Sequence, residues 1–320
     1  MYFPYLRGKQ FELIMLREMA SSISEWGFVP IIEPVKSNFS PLRRAITSLV
    51  EHNCRFILIA NPCVGDLRNN PTALHEEIIQ DTLAEYENYS VGLCLKPTSG
   101  VSSAELIQMA NSFFNTFEQS TAVIHDGFSD GAGLRAVIDE ISPEITEHIF
   151  MHHSSTLYRR HFSDTNRILI EDGFDVLPNK DYPATEPFSE LYLTYQDMGC
   201  NGFGDYLIVG KDFRDGGGPA GAVAIHVTYV DPSADNAIAV FHFISDMNDV
   251  LDDVAAKFAE ALTKLVDAVE DRDSQIYRSR AIEQFMELHE RGHYPGLGYV
   301  KKLSMQHHIE LMAHILNPGG

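Results

Sequence analysis

Short, continuous apolar runs recur along this chain, and each is followed by a stretch of helical periodicity. The runs span residues 3–6, 28–35, 55–60, 91–95, 121–124, 148–151, 167–170 and 205–209. Residues 56–60 read Phe-Ile-Leu-Ile-Ala, with no polar residue among them. A strand apolar at every position is buried on both faces, as parallel strands covered by helices are. The intervening stretches are helical. Phe11, Leu13, Ile14, Met15, Leu16 and Met19 form the first apolar set, and Asn38 or Ser40 with Pro41 marks the entry to the second. Residues 73–86, 102–117, 133–141, 157–162 and 190–198 supply the others. Repeated strand–helix units imply a parallel sheet. Eight of them within about 210 residues predict an α/β fold, a TIM-barrel-like (β/α)8. An open doubly wound sheet is the alternative. It usually carries Gly-x-Gly-x-x-Gly after its first strand, where this chain has Arg7-Gly-Lys-Gln10.

Beyond the barrel pattern, residues 223–230 and 237–244 alternate around Asp231-Pro-Ser-Ala-Asp-Asn236, which predicts a late β-hairpin after a glycine-rich loop at 215–221. The last barrel strand comes either from 205–209 or from this region. From residue 249 the pattern is helical, with Val250, Leu251, Val254, Phe258, Leu262, Leu265 and Val266 on one face. That stripe is expected to pack on the barrel as its last helix. After a break at His293-Tyr-Pro-Gly-Leu-Gly298 the helical pattern resumes over 304–316, and residues 296–316 are expected to serve as a lid or partner-binding segment, with Lys301 and Lys302 facing the barrel mouth if the stripe packs on the barrel. The expected division is a barrel-like domain over 1–270 and a helical C-terminal extension over 271–320, packed on or near it.

Charge narrows the partners. There are 24 Lys+Arg against 45 Asp+Glu, a formal charge of −21. Such a surface repels nucleic acid and anionic lipid, so any phosphate site must be a local basic pocket. No run of 18 apolar residues occurs, which excludes a transmembrane helix, and no membrane partner is expected. The N-terminal charges follow a very short apolar stretch, the wrong order for a signal peptide, so a cytoplasmic location is expected. Cys54, Cys63, Cys94 and Cys200 form no Cys-x-x-Cys pair and are expected to be reduced thiols.

Barrel active sites lie where the strands end. Those positions carry Arg7 and Lys9, Glu33 and Lys36, Asn61, Lys96, His125 and Asp126, His152 and His153, Glu171 and Asp172, and Asp205. Two chemistries fit. The carboxylates Glu33, Asp126, Glu171 and Asp205 with His152 suit a divalent metal, Mg²⁺ or Mn²⁺, and the expected ligand set is Glu33, Asp126 and Asp172. Alternatively Arg7, Lys9, Lys36 and Lys96, with Tyr206, hold a small anion while the acids balance them. Side chains alternate across a strand. Glu33, Asp126, His152 and Asp172 are expected to face inward, because Ile31, Ile124, Phe150 and Ile170 two residues earlier suit a barrel interior. The candidate catalytic set is therefore Glu33, Asp126, His152, Asp172 and Asp205. The leading expectation is a hydrolase or phosphodiesterase acting on a small phosphorylated or nucleotide-like molecule. The alternative is a non-catalytic component that grips a protein partner through its C-terminal helices.

His289-Glu-Arg-Gly-His293 matches a zinc-binding His-Glu-x-x-His, but Gly292 and the following Tyr-Pro-Gly end the helix that both histidines need. Residues 296–304 combine glycines, two lysines and Ser304, either as an anion cradle or as a connector with Ser304 as N-cap.

Several segments together carry a family resemblance: Tyr2-Phe-Pro-Tyr-Leu-Arg-Gly-Lys-Gln-Phe-Glu12, Val29-Pro-Ile-Ile-Glu-Pro-Val-Lys36, Gly204-Asp-Tyr206, Ala224-Ile-His-Val-Thr-Tyr229 and the tail from Tyr294 to Leu311. The chain resembles the beta-protein family of phages and bacteria, in an uncharacterised bacterial branch. The resemblance implies a barrel-like protein of unestablished activity, linked to defence against mobile elements. It supplies no catalytic residue, draws attention to Arg7, Lys9, Glu33, Lys36, Asp205 and Tyr206, and weighs against the zinc motif.

Overall fold

A computed structural model describes residues 1–68, 70–216, 221–246 and 253–317. Most of the glycine-rich loop, and Val250 and Leu251 of the expected helical face, lie outside the described residues. The strands, in chain order, are β1 (Tyr5–Leu6), β2 (Ile31–Ile32), β3 (Phe56–Ile59), β4 (Tyr89–Leu95), β5 (Thr121–His125), β6 (Ile145–Met151), β7 (Arg167–Glu171), β8 (Thr185–Ser189), β9 (Gly202–Asp205), β10 (Ala224–Asp231) and β11 (Ala237–Ile244). Contacts divide the chain into two compact units. One comprises 1–171 and 194–205, the other 172–193 and 206–320.

In the first unit, eight strands run in the order β1-β2-β3-β4-β5-β6-β7-β9, and every neighbouring pair is parallel. A bridge between Tyr2 and Phe203 joins the two ends, with Phe3 N–H donating to Phe203 O at 2.9 Å and Phe203 N–H to Met1 O at 3.1 Å. The eight-stranded parallel sheet thus closes on itself, alternating with helices such as Gln10–Trp26, Ser40–Glu51, Ser103–Thr116 and Gly131–Ile141. This is the TIM-barrel architecture that the alternation predicts. The helices start where local chemistry directs. Ser102 Oγ accepts the Glu105 N–H at 3.3 Å while Glu105 returns a carboxylate to the Ser102 N–H, the reciprocal box that satisfies two orphan donors. The segment read as helix over 73–86 is a single α-turn followed by a π-helix, His75–Thr82.

The closing strand corrects the expectation of 205–209: β9 is Gly202–Asp205, and Leu207–Val209 is a 3₁₀ turn. Its glycines explain both the closure and the misreading. A Cβ at Gly204 would stand 1.9 Å from Phe3 O, and one at Gly202 would stand 2.8 Å from the Phe3 ring. Only a strand without side chains on that face fits against the N-terminal strand, and such a strand shows no apolar run.

The second unit corrects the expected boundary at 270. The hairpin β10–β11 pairs antiparallel with β8, a strand that the alternation does not reveal, and makes a three-stranded sheet of its own. Val223, Ile225 and Val227 on this sheet pack with Phe258, Ala261, Leu262 and Leu265 of the helix Val254–Glu270. Phe285 of Arg280–Glu290 and Leu303 of Leu297–Leu316 complete that core. The stripe of Phe258 and Leu262 thus covers the hairpin rather than serving as a barrel helix. Each such buried side chain contributes about 1.5–3 kcal/mol. The last helix starts at Leu297, so Ser304 sits inside it rather than capping it, and Gly296 is the N-cap at φ +92°. From Val300 to Ala313 only Lys301 is exposed, so this helix is core on nearly every side. Its polar groups are satisfied internally. His307 is bonded to Ser279 Oγ at 2.8 Å and to Thr228 O at 2.8 Å, and His308 to Thr228 Oγ1 at 3.0 Å. No helix among the described residues is long and apolar enough to cross a membrane.

Candidate functional site

Two regions gather chemistry-bearing side chains, one in each unit. In the first unit, Glu33 at the end of β2 is the hub. It is 1% exposed. Its Oε2 accepts the Tyr5 hydroxyl at 2.8 Å and pairs with the Arg7 guanidinium, and its Oε1 accepts the Cys63 N–H at 2.8 Å. Next to it, Lys96 Nζ stands 2.6 Å from Asp126 Oδ2 at the ends of β4 and β5. The Asp126 carboxylate holds the Lys96 ammonium above its ordinary pKa, against the opposing effect of burial. Cys94 lies between them, its thiol pushed well up by its contact with Cys63, by burial, and by the Glu33 and Asp126 carboxylates.

Alternation sorts the remaining strand-end residues. His125 pairs with Phe150 in register, and both rings meet Phe162 of the following helical segment, at 5.0 and 5.9 Å. That face of β5 and β6 looks at the helical layer. Ile124 and Asp126 therefore face the interior as expected, whereas Phe150 and with it His152 face outward, contrary to expectation. Register carries the same parity through Leu169 to Glu171 and Asp205. Accordingly His152 Nδ1 lies 3.3 Å from Glu171 Oε1, and Asp205 is buried and accepts the Tyr2 hydroxyl at 2.9 Å. His125 is bonded to Tyr158 at 2.6 Å and to His148 at 3.0 Å beneath the helices. Burial drives both imidazoles down, His148 to about 3 and His125 well below the usual range, with the neighbouring His148 a second cause for His125.

The other sequence candidates are scattered. Lys9 ends the β1 loop, and its N–H meets Glu12 Oε2 at 3.4 Å at the start of a helix. Lys36 faces Asp66 at 3.8 Å, both half-exposed. Asp172 is exposed and accepts the Lys211 N–H at 2.9 Å, and Tyr206 is buried. Among the described residues no three His, Cys, Asp or Glu side chains form a cage that could hold a metal ion. The metal set of Glu33, Asp126 and Asp172 is therefore not assembled, because Glu33 is committed to Tyr5, Arg7 and Cys63, and Asp126 to Lys96. His293 lies beyond the helix that carries His289, so the zinc motif is not assembled either.

The second unit holds a cavity of about 530 Å³, large enough for a small ligand. Phe174, Tyr182 and His226 line it, together with Lys180, Lys301 and Ser304. His226 on β10 and His242 on β11 are register partners, and their Nδ1 atoms are 2.7 Å apart. His242 Nε2 stands 3.2 Å from Glu186 Oε1 on β8, in contact but without hydrogen-bond alignment. The Tyr182 ring stacks on His242 at 4.5 Å, and Phe174 meets His226 edge-on at 5.0 Å. Burial, then His242, then Lys301 hold His226 well below the usual imidazole range, and burial holds His242 at about 4. Burial raises the Glu186 carboxyl, with Asp175 adding to it. Glu186, His242 and His226 thus form a file of titratable groups that ends at the cavity.

Sequence reasoning missed this file. A signal existed. A hairpin pairs residues equally far from its turn, and His226 and His242 are such a pair once the loop 232–236, closed by Asp231 opposite Ala237, is recognised. The missing strand β8 hid Glu186.

No family model and no curated protein matches the chain. Among solved structures it is similar to the N-acetylneuraminate lyase from Mycoplasma synoviae, in two crystal forms. Form I matches at 9% identity and a TM-score of 0.45, over 64% of this chain and 68% of the lyase. Form II matches at 11% and 0.43, with the same coverage. A likeness so distant says nothing about the reaction.

Proposed function

We propose that this chain is a hydrolase of a small anionic, phosphorylated or nucleotide-like molecule, and that the cavity of the second unit is its site. The observation that carries this reading is the file Glu186–His242–His226 ending at a cavity that lysines also line. A neutral His226 presents a lone pair. With His226 Nδ1–H donating to His242 Nδ1, and His242 Nε2–H turned to Glu186, His226 Nε2 accepts a proton from water as that water attacks an ester; the bond to the leaving oxygen breaks, and the leaving alcohol departs with the proton that His226 returns. Lys180 and Lys301 hold the anionic group as point charges, the local basic pocket that a chain of charge −21 requires. At the barrel mouth the charges neutralise one another in the pairs Arg7–Glu33 and Lys96–Asp126. That set suits a structural or supporting role better than capture of an anion.

A panel of p-nitrophenyl phosphate, bis-p-nitrophenyl phosphate and p-nitrophenyl acetate tests this reading. His226→Gln should lower turnover by about 10²–10⁴-fold, the usual worth of a general base. Lys180→Ala should raise KM more than it lowers kcat, and His152→Gln should change neither. Equal turnover by wild type and His226→Gln would refute the reading. Binding of nucleoside monophosphates without turnover would favour the non-catalytic alternative, in which the resemblance to phage and bacterial beta-proteins points to a partner-binding role.

A further inference from the structure

All four cysteines are free thiols. Two of them face each other, with Cys63 Sγ 2.9 Å from Cys94 Sγ. The main chain on both sides is pinned. The Asn61 side chain brackets Cys94, accepting its N–H at 2.7 Å and donating to its carbonyl at 2.9 Å, while the Cys63 N–H is fixed to Glu33 at 2.8 Å. Cys63 is partly exposed and Cys94 is 3% exposed. The other two thiols are turned to main-chain oxygens, Cys54 to Ala20 at 2.9 Å and Cys200 to Met198 at 3.8 Å.

We propose that Cys63 and Cys94 are a reversible oxidation site, in which a peroxide attacks at Cys63 and Cys94 closes the disulfide. A disulfide needs sulfur atoms about 2.05 Å apart, so closing the bond from 2.9 Å takes about 0.9 Å of movement, within reach of side-chain rotation. The step balances. The Cys63 thiolate attacks one peroxide oxygen and the O–O bond breaks. The leaving hydroxide takes the Cys63 proton as water, and Cys63 becomes a sulfenic acid. Cys94 then loses its proton, attacks the Cys63 sulfur and expels the hydroxyl as a second water. Two thiols and one hydrogen peroxide give one disulfide and two waters, and a dithiol reductant reverses the change. Cys63 is the thiol that an oxidant reaches, and Cys94 resolves it from the strand. Because the Cys63 N–H holds Glu33, closure also bears on the ion-pair hub of the barrel mouth.

The native protein is treated with hydrogen peroxide, quenched, unfolded, and its thiols counted with a chromogenic disulfide. Two thiols should be lost, the intact mass should fall by two hydrogens, and a tryptic map without reductant should contain a Cys63–Cys94 crosslink that dithiothreitol cleaves. Cys94→Ser should lose the crosslink and leave a Cys63 sulfenic acid that dimedone traps, while Cys54→Ser and Cys200→Ser should keep it. The wild-type map decides the matter even if a variant fails to fold. Survival of all four thiols under conditions that fully oxidise free glutathione would overturn the proposal. So would oxidation of Cys63 to sulfinic acid without a crosslink, or a crosslink to any other cysteine.

Discussion

Removing Glu33 tests whether the barrel mouth is held by its charges. Glu33 and Arg7 are both nearly inaccessible, and Glu33 accepts hydrogen bonds from Tyr5, Arg7 and the Cys63 main chain. Glu33→Ala deletes the anion and leaves a buried guanidinium without it. Breaking a buried pair from one side costs about 3–5 kcal/mol, because the remaining charge has been taken out of water. For a unit of this size each kcal/mol moves the melting point by about 2–4 °C, so a fall of about 6–20 °C is expected. The single tryptophan, Trp26, lies in the helix Gln10–Trp26 of the same unit and reports its unfolding directly. Urea unfolding followed by Trp26 fluorescence measures the change. Arg7→Met combined with Glu33→Leu should recover part of the loss, since an apolar pair of similar volume carries no desolvation penalty, while the Tyr5 hydroxyl and the Cys63 N–H still lose their acceptor. Glu33→Ala within about 1 kcal/mol of wild type would refute the reasoning, and so would a double variant no more stable than the single one.

Gly204→Ala places a Cβ on Phe3 O, so it should destabilise the barrel by at least about 1–3 kcal/mol in the same Trp26 assay. An unchanged midpoint would show that β9 can shift freely. The pH response follows from His125 and His148, whose folded pKa values lie below the unfolded value of about 6.5. Between those values the unfolded chain binds more protons, so stability is full above about pH 6.5 and falls as pH drops toward about 3, the folded value of His148. At pH 5 each histidine costs up to about 2 kcal/mol, which urea midpoints at pH 7 and pH 5 would register. A flat response would mean that these imidazoles take up protons while folded. Deleting residues 297–320 removes Val300 and Leu303 from the second core. Circular dichroism and limited proteolysis should show the hairpin unit unfolded while Trp26 still reports a folded barrel. A truncated chain with both units intact would contradict that packing.

The candidate site was legible only in part. The strand-end rule places Glu33, Arg7, Lys96 and Asp126 together because barrel geometry brings the ends of neighbouring strands to one rim. It does not tell which of them are consumed in ion pairs. The inward assignment of His152 failed because Phe150, apolar and large, serves the helix layer as readily as the barrel interior. Cys63 and Cys94 are far apart in sequence and meet only because β3 and β4 are neighbours. The His226–His242 pair needed the hairpin register, and Glu186 needed a third strand with no apolar run.

The sequence by itself determined the barrel. Strands buried on both faces must be apolar throughout, and helices that cover them must be amphipathic, so period alone separates the two and their count indicates closure. It also determined the hairpin, whose turn residues and alternation are local. Tertiary structure decided the rest. Gly202 and Gly204 make a strand only because Phe3 leaves no room for a side chain, a constraint set by the other end of the chain. The helix Leu297–Leu316 carries His307, His308 and Glu310 in a core because Ser279, Thr228 and the Ala281 N–H bond to them there. The apolar stripe of Val254–Glu270 goes with the hairpin sheet because Val223, Ile225 and Val227 pack against it. A period shows that a helix has an apolar face, and only the packed chain shows which surface that face covers.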